Sequence, residues 1–160
     1  MSEIKKGFEP FTGNDPKILI LGSFPSVKSR EQMFFYGHPQ NRFWKVTSAV
    51  FACGEPKTIE EKRSFLLSHG IALWDVIASC DIEGSADSSI KNVVPNNLSQ
   101  ILHAADIKKI FVNGKTAQKY YNSYIRETVQ RDAVCLPSTS PANAAWSVER
   151  LVRAWSVIKL

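Results

Sequence analysis

Three short segments hold side chains that could handle a flat, polar ligand. The first is Gly22-Ser23-Phe24-Pro25-Ser26, a glycine turn behind the apolar run Lys17-Ile18-Leu19-Ile20-Leu21, which continues to Tyr36-Gly37-His38-Pro39-Gln40-Asn41-Arg42-Phe43-Trp44. Backbone N–H groups of the turn and the loop behind it can face a ligand. Phe24, Phe35 or Tyr36 offers a surface for stacking, worth about 1–3 kcal/mol per nucleic-acid base. Asn41 has two readings, a pocket residue or only the cap of the helix that starts behind it. His38 is the histidine placed near such a site, whereas His69 and His103 fall within or at the ends of helical stretches.

The second segment is Asn113-Gly114. A carboxamide there presents one acceptor and two donor hydrogens, enough to read the adjacent N–H and C=O of a lactam such as hypoxanthine or uracil. The alternative is that Asn113 only bridges the turn into a helix starting near Lys115. The third segment is Pro137-Ser138-Thr139-Ser140-Pro141-Ala142-Asn143. Its two prolines stiffen it, and its hydroxyls and N–H groups suit phosphates on either side of a flipped nucleotide. Flipping costs a few kcal/mol, so a grip that needs no ordering of its own is an advantage. Arg42, Lys28, Arg30 and Lys115 lie in or beside these loops as further phosphate ligands. Four such contacts give a log–log salt slope of about −3.6 for duplex DNA.

Other chemistries find little support. Ser23 is in no Gly-x-Ser-x-Gly elbow, and Gly22 belongs to no GxGxxG or Walker pattern. Cys53, Cys80 and Cys135 form no CxxC pair, so no metal or iron–sulfur cofactor is expected; they read as small buried or half-buried side chains. Asp75 and Asp87 are reserve candidates for a general base, with Asp75 read first as a structural capping or pairing residue.

The elements that must hold these loops follow from the apolar patterning. Lys17 to Gly22, Ile71 to Val76, Ile107 to Val112 and Ala133 to Leu136 read as short strands covered on both faces. Helical periodicity fills the gaps: Phe43, Val46, Val50 and Phe51; a stretch opened by the capping box Thr58-Ile59-Glu60-Glu61; Leu98, Ile101 and Leu102; Ala117 to Ile125; and Val148 to Ile158 behind Ser147. Alternation of this kind makes a three-layer α/β/α sandwich with a small, mostly parallel four-stranded sheet. Ligands bind at the carboxyl ends of such strands, where the three segments fall. Residues 1–160 read as one domain, with 1–16 an irregular lead-in.

Composition is that of a globular protein, 44% hydrophobic and 22% charged, and the net charge of +5 permits a polyanionic partner. No run reaches the roughly 20 apolar residues of a membrane span. The opening MSEIKKGFEPF lacks the apolar core of a signal peptide. A cytoplasmic monomer, nucleoid-associated in a prokaryote, is the expectation.

Taken together, the loops resemble the uracil-DNA glycosylase superfamily. Gly22 to Ser26 stands where its first motif falls, and Ser138 to Asn143 where its second, DNA-inserting motif falls. His38-Pro39-Gln40-Asn41-Arg42-Phe43-Trp44-Lys45-Val46 is similar to the matching stretch of the mismatch-specific uracil/thymine members. Phe24, however, occupies the place of the Asp or Asn that positions water in those members. That combination resembles the hypoxanthine-DNA (deoxyinosine) glycosylase branch, where an asparagine outside the first motif serves catalysis. The resemblance implies a monofunctional glycosylase that starts base excision repair on DNA, double-stranded in expectation. It implies Asn41 and Asn113 as catalytic residues and Gly22, Ser23, Phe24, Tyr36 and His38 around the base, Tyr36 stacking on it. It places Ser26, Arg42, Lys115, Ser138, Thr139, Ser140 and Asn143 on the DNA. A uracil/thymine mismatch glycosylase and an inert DNA-binding module on the same fold are the rival readings.

Overall fold

The computed structural model describes residues 4–160. Four strands make the central parallel sheet, in the order β3-β2-β6-β7: β2 (Ile18–Gly22), β3 (Ile71–Asp75), β6 (Lys109–Asn113) and β7 (Val134–Leu136). Each lies within two residues of the stretch expected from the apolar runs. Strand β2, at the centre, alternates its side chains between two cores. Ile18 and Ile20 face one core with Phe43, Val46, Leu66, Leu151 and Trp155. Leu19 and Leu21 face the other with Leu98, Ile101, Ala117 and Tyr121. All four strand residues are essentially inaccessible to water. That is why the sequence shows a continuous apolar run in place of alternation.

Among the described residues, α-helices α1 (Val27–Gln32), α2 (Phe43–Val50), α3 (Ile59–His69), α4 (Ser99–Ala104), α5 (Lys115–Tyr124) and α6 (Arg126–Val129) connect the strands, and α7 (Val148–Trp155) follows the last. Helices α2, α3 and α7 cover one face of the sheet and α4 and α5 the other, the three layers of the sandwich. The capping box opens α3: the Glu61 N–H donates to Thr58 Oγ1 (3.0 Å) and the Thr58 N–H to Glu61 Oε1 (3.1 Å). The α7 cap is Ser147, which accepts from the Arg150 N–H (3.2 Å). No helix among the described residues is long and apolar enough to cross a membrane.

Two expectations need correction. Residues 1–16 are not all irregular. The first three lie outside the described residues, but β1 (Ile4–Lys6) pairs antiparallel with β4 (Ile77–Asp81), which pairs with β5 (Lys91–Pro95) in a second, three-stranded sheet. Its burial pattern is mixed, because much of it faces solvent, and the short exposed β1 carries no apolar run to announce it. Cys53 is exposed, not buried, because it sits in the turn after α2; Cys80 is buried and Cys135 half-buried.

Candidate active site

Strands β3, β2 and β6 end side by side at Asp75, Gly22 and Asn113, and a cavity of about 360 Å³ opens over them. Loop 22–26, Phe35 to His38, Asn41, the segment Ser85-Ala86-Asp87 and the loop Ser138 to Ala142 wall it. A parallel sheet puts its ligand site there because the loops leaving the strands converge at that edge. The volume falls in the usual range for a small-molecule pocket.

One wall is a closed hydrogen-bond network centred on Thr139. Asn113 Nδ2 donates to Thr139 Oγ1 (3.0 Å), and the Thr139 N–H donates back to Asn113 Oδ1 (3.0 Å). Thr139 Oγ1 in turn donates to Asn41 Oδ1 (2.9 Å), which also accepts from the Phe43 N–H (2.9 Å). The inventory of remaining capacity is then fixed. Both lone-pair positions of Asn41 Oδ1 are taken, so Asn41 can offer only its two amide hydrogens. Beyond Thr139, Asn113 keeps one acceptor position and one donor hydrogen, with the Tyr36 hydroxyl as a neighbour.

Asn41 is thus both things the sequence allowed: it caps α2 from one residue further out than expected, and it lines the cavity. Gly114, behind Asn113, has φ +97°, and an added Cβ would lie 3.0 Å from the Ser138 Cβ. Only glycine suits that turn.

The opposite side of the cavity is not closed in this way. Tyr36 has a left-handed backbone, φ +51°, unusual for a residue with a large side chain and a mark of local strain. Its ring stacks on Phe43 with centroids 4.0 Å apart and planes 14° from parallel. Its hydroxyl is buried without a hydrogen-bond partner. Burial, with a smaller contribution from the Asp75 charge, holds the phenol well above its ordinary pKa. Asp75 is only 6% exposed, and burial pushes its carboxyl up to about 7. Among the described residues that carboxyl has no hydrogen bond or ion pair. Its backbone carbonyl is held by Asn96 Nδ2 (2.8 Å).

Gly22 leaves the room for this carboxyl. A Cβ there would come 2.6 Å from Asp75 Oδ1 and 3.4 Å from the Tyr36 hydroxyl. Ser23, Phe24 and His38 also line the cavity. Ser23 Oγ reaches Asp87 at 3.5 Å, and Phe24 sits under the Arg30 guanidinium, 5.3 Å from its ring centre. His38 Nδ1 accepts from the Gln40 N–H (3.1 Å), which leaves Nε2 to donate.

The residues assigned to phosphate contact fare differently. Arg42 does not face outward: its guanidinium donates to the carbonyls of Ser140 (2.9 Å), Asn143 (3.0 Å) and Trp146. It clamps the 138–146 loop because three converging carbonyls leave a planar, five-donor group little reason to seek solvent. Thr139 is fully buried and its hydroxyl is spent on the two asparagines. Asn143 Nδ2 is tied to the Ser138 carbonyl (3.0 Å). Ser26 caps α1 and exchanges hydrogen bonds with Ser29. Arg30 binds the carbonyls of Pro25 and Gly84.

These five side chains therefore shape the site from within. Lys28 is exposed beside Glu31, 3.5 Å away; Lys115 is exposed at the start of α5. Ser138 Oγ and Ser140 Oγ accept from loop N–H groups at 3.1 Å yet still line the cavity.

The glycine turn after β2, the asparagine at the end of β6 and the serine-rich loop after β7 thus meet around one cavity. The Uracil DNA glycosylase superfamily model matches residues 10–159. The chain belongs to the uracil-DNA glycosylase superfamily. It is a DNA glycosylase, a hydrolase whose substrate is DNA. A protein of Methanosarcina acetivorans named hypoxanthine DNA glycosylase is 33% identical over 149 residues, 92% of this chain and 93% of that one. A protein of the same name from Methanosarcina barkeri is 33% identical over 120 residues, 72% of this chain and 75% of that one. A solution structure from M. acetivorans, described as a candidate uracil DNA glycosylase, superposes with a TM-score of 0.83 at 31% identity, covering 98% of each chain.

Sequence reasoning underweighted two residues. Asp75, read first as a capping or pairing residue, interrupts the apolar run Ile71-Ala72-Leu73-Trp74-Asp75-Val76; among the described residues its carboxyl caps and pairs with nothing and instead lines the cavity. Thr139 as a bridge had no local signal, since its partners lie 26 and 98 positions away.

Proposed function

We propose that this glycosylase removes hypoxanthine from duplex DNA containing deoxyinosine, by hydrolysis and without a lyase step. The observation that carries the reading is Asn113 at the cavity end of β6, held by Thr139 with one donor hydrogen and one acceptor position of its carboxamide left over for a base. The names of the Methanosarcina relatives support the same substrate. Phe24 in place of a first-motif Asp or Asn favours it over uracil or thymine, whose removal in related enzymes uses that residue to hold water.

Breaking the N-glycosidic bond leaves negative charge on the base and positive charge on the sugar. Asn113 binds the lactam edge and strengthens that contact as charge develops on the base, the preorganised-donor effect of other hydrolases. Asn41, a pure donor, hydrogen-bonds the oxygen of the attacking water or a base carbonyl; it takes no proton. The DNA phosphates favour the cationic sugar. No lysine lines the cavity among the described residues, and a Schiff base needs one.

The test is release of free base from duplexes carrying deoxyinosine or deoxyuridine. Hypoxanthine release that collapses in Asn113→Ala supports the reading. Duplex binding with both lesions intact would make the chain a binding module.

A further inference from the structure

Asp75 has no part in the reaction as described so far, yet it forms the floor of the same cavity. Three observations isolate it. It sits at the end of β3 in register with Gly22, whose missing side chain leaves its Oδ1 within the cavity lining. It is buried, and no cation, N–H or hydroxyl among the described residues satisfies its carboxyl. Across β2, at two strand spacings or roughly 10 Å of backbone, stands Asn113. The floor therefore has two polar ends with the Tyr36 hydroxyl between them, and only one of the two is occupied by internal hydrogen bonds.

A purine fits such a floor better than a pyrimidine. Its lactam edge can face Asn113 while its second ring brings another acceptor, N7, towards the other end. We propose that Asp75 is a catalytic residue: as a neutral carboxyl it donates a hydrogen bond to N7 of the flipped purine and passes its proton there as the base departs. This rests on the substrate reading above and deepens it.

The step balances. The C1′–N9 bond breaks with its electron pair going to the purine, the Asp75 proton goes to N7, and neutral hypoxanthine leaves. Water adds to C1′, its surplus proton goes to solvent, and Asp75 is reprotonated from solvent. Burial favours the acid form Asp75 needs. The other titratable groups of the lining are Tyr36 and His38 beside the first loop and Asp87 on the opposite wall. Burial is the cause that acts on the Asp75 carboxyl, and it acts upward. A uracil in the same cavity has no N7, so its removal gains nothing from this proton.

The experiment is single-turnover base release between pH 5 and 9 by wild type and Asp75→Asn, on duplexes carrying deoxyinosine, 7-deaza-deoxyinosine or deoxyuridine. Folding of the variant is checked by thermal melting. Wild type should lose hypoxanthine release about tenfold per pH unit above about pH 7. Asp75→Asn should be slower by about 10²-fold at pH 6 and flat with pH across the same range. Any uracil release should be equal in the two proteins.

The 7-deaza substrate makes the test independent of the variant: wild type should process it slowly and without the alkaline fall. Hypoxanthine release by Asp75→Asn at the wild-type rate, or the same alkaline fall on the 7-deaza substrate, overturns the proposal alone. No hypoxanthine release by wild type at any pH removes the substrate reading, and this proposal with it.

Discussion

The two sides of the cavity are built on opposite principles. Around Thr139 every polar atom but the free hydrogens of two asparagines and one acceptor position has an internal partner. Around Asp75, the carboxyl has no partner among the described residues, and the buried Tyr36 hydroxyl makes no hydrogen bond of normal length, with Asn113 its polar neighbour. A satisfied network stabilises the fold and fixes geometry; an unsatisfied pair costs stability and waits for a partner. The difference separates residues that position from residues that receive, a distinction that burial alone does not give.

That contrast can be tested most severely at Asp75 itself. Its carboxyl has an ordinary value near 3.8 in the unfolded chain and about 7 in the folded one. The folded state thus holds the proton more tightly, and stability falls as pH rises from about 4 to 7. Asp75→Asn removes the ionisation, so it should stabilise the protein by up to about 4 kcal/mol at pH 8 and by little at pH 4. Thermal melts at the two pH values check this; equal melting shifts would mean that the carboxyl is solvated.

Asn113→Ala, on the satisfied side, should reduce hypoxanthine release by about 10²–10³-fold with little change in duplex affinity, measured by single turnover and by titration. Thr139→Val should destabilise by about 1–3 kcal/mol, because it strands both asparagines. Release should fall as well, and Thr139→Ser should restore both.

Tyr36→Phe should do the reverse of Thr139→Val: deleting an orphaned hydroxyl should leave denaturant stability unchanged or raised by about 1 kcal/mol. The smallest effect concerns salt. With Arg30 and Arg42 committed to internal carbonyls, Lys28 and Lys115 remain of the four cations, and two contacts give a slope of about −1.8 in place of −3.6.

The sandwich was legible because its strands are apolar on both faces. Ile18 to Leu21 has no other sensible reading in a chain of this charge, and the Thr58–Glu61 box and Ser147 mark their helices by local chemistry. The second sheet was illegible for the opposite reason. Lys5, Lys6, Lys91 and Asn92 look like loop residues, and β4 and β5 pair with register shifts that break any alternation.

In the site, identity was readable but direction was not. Asn41, Asn113 and the serine loop stood out as residue types, and their meeting at one cavity was expected from the ends of parallel strands. Whether Arg42 points at phosphate or at three carbonyls depends on contacts some 98 to 104 positions away, beyond any local pattern. Ser85 to Asp87 as a cavity wall was equally out of reach.

A single residue, Val76, separates the last position of the parallel sheet from the first of the antiparallel one. Its N–H goes to the Gly22 carbonyl (2.8 Å) and its carbonyl accepts from the Asn96 N–H (2.8 Å), while Asn96 also holds the carbonyl of Asp75. The small sheet is therefore an adjusting screw. A substitution along β5, whose residues do not line the cavity, reaches Asp75 through the Asn96 hydrogen bonds. On the proposed role of Asp75, base selectivity becomes sensitive to residues well away from the pocket, and 91–96 are where a directed search for altered selectivity should begin.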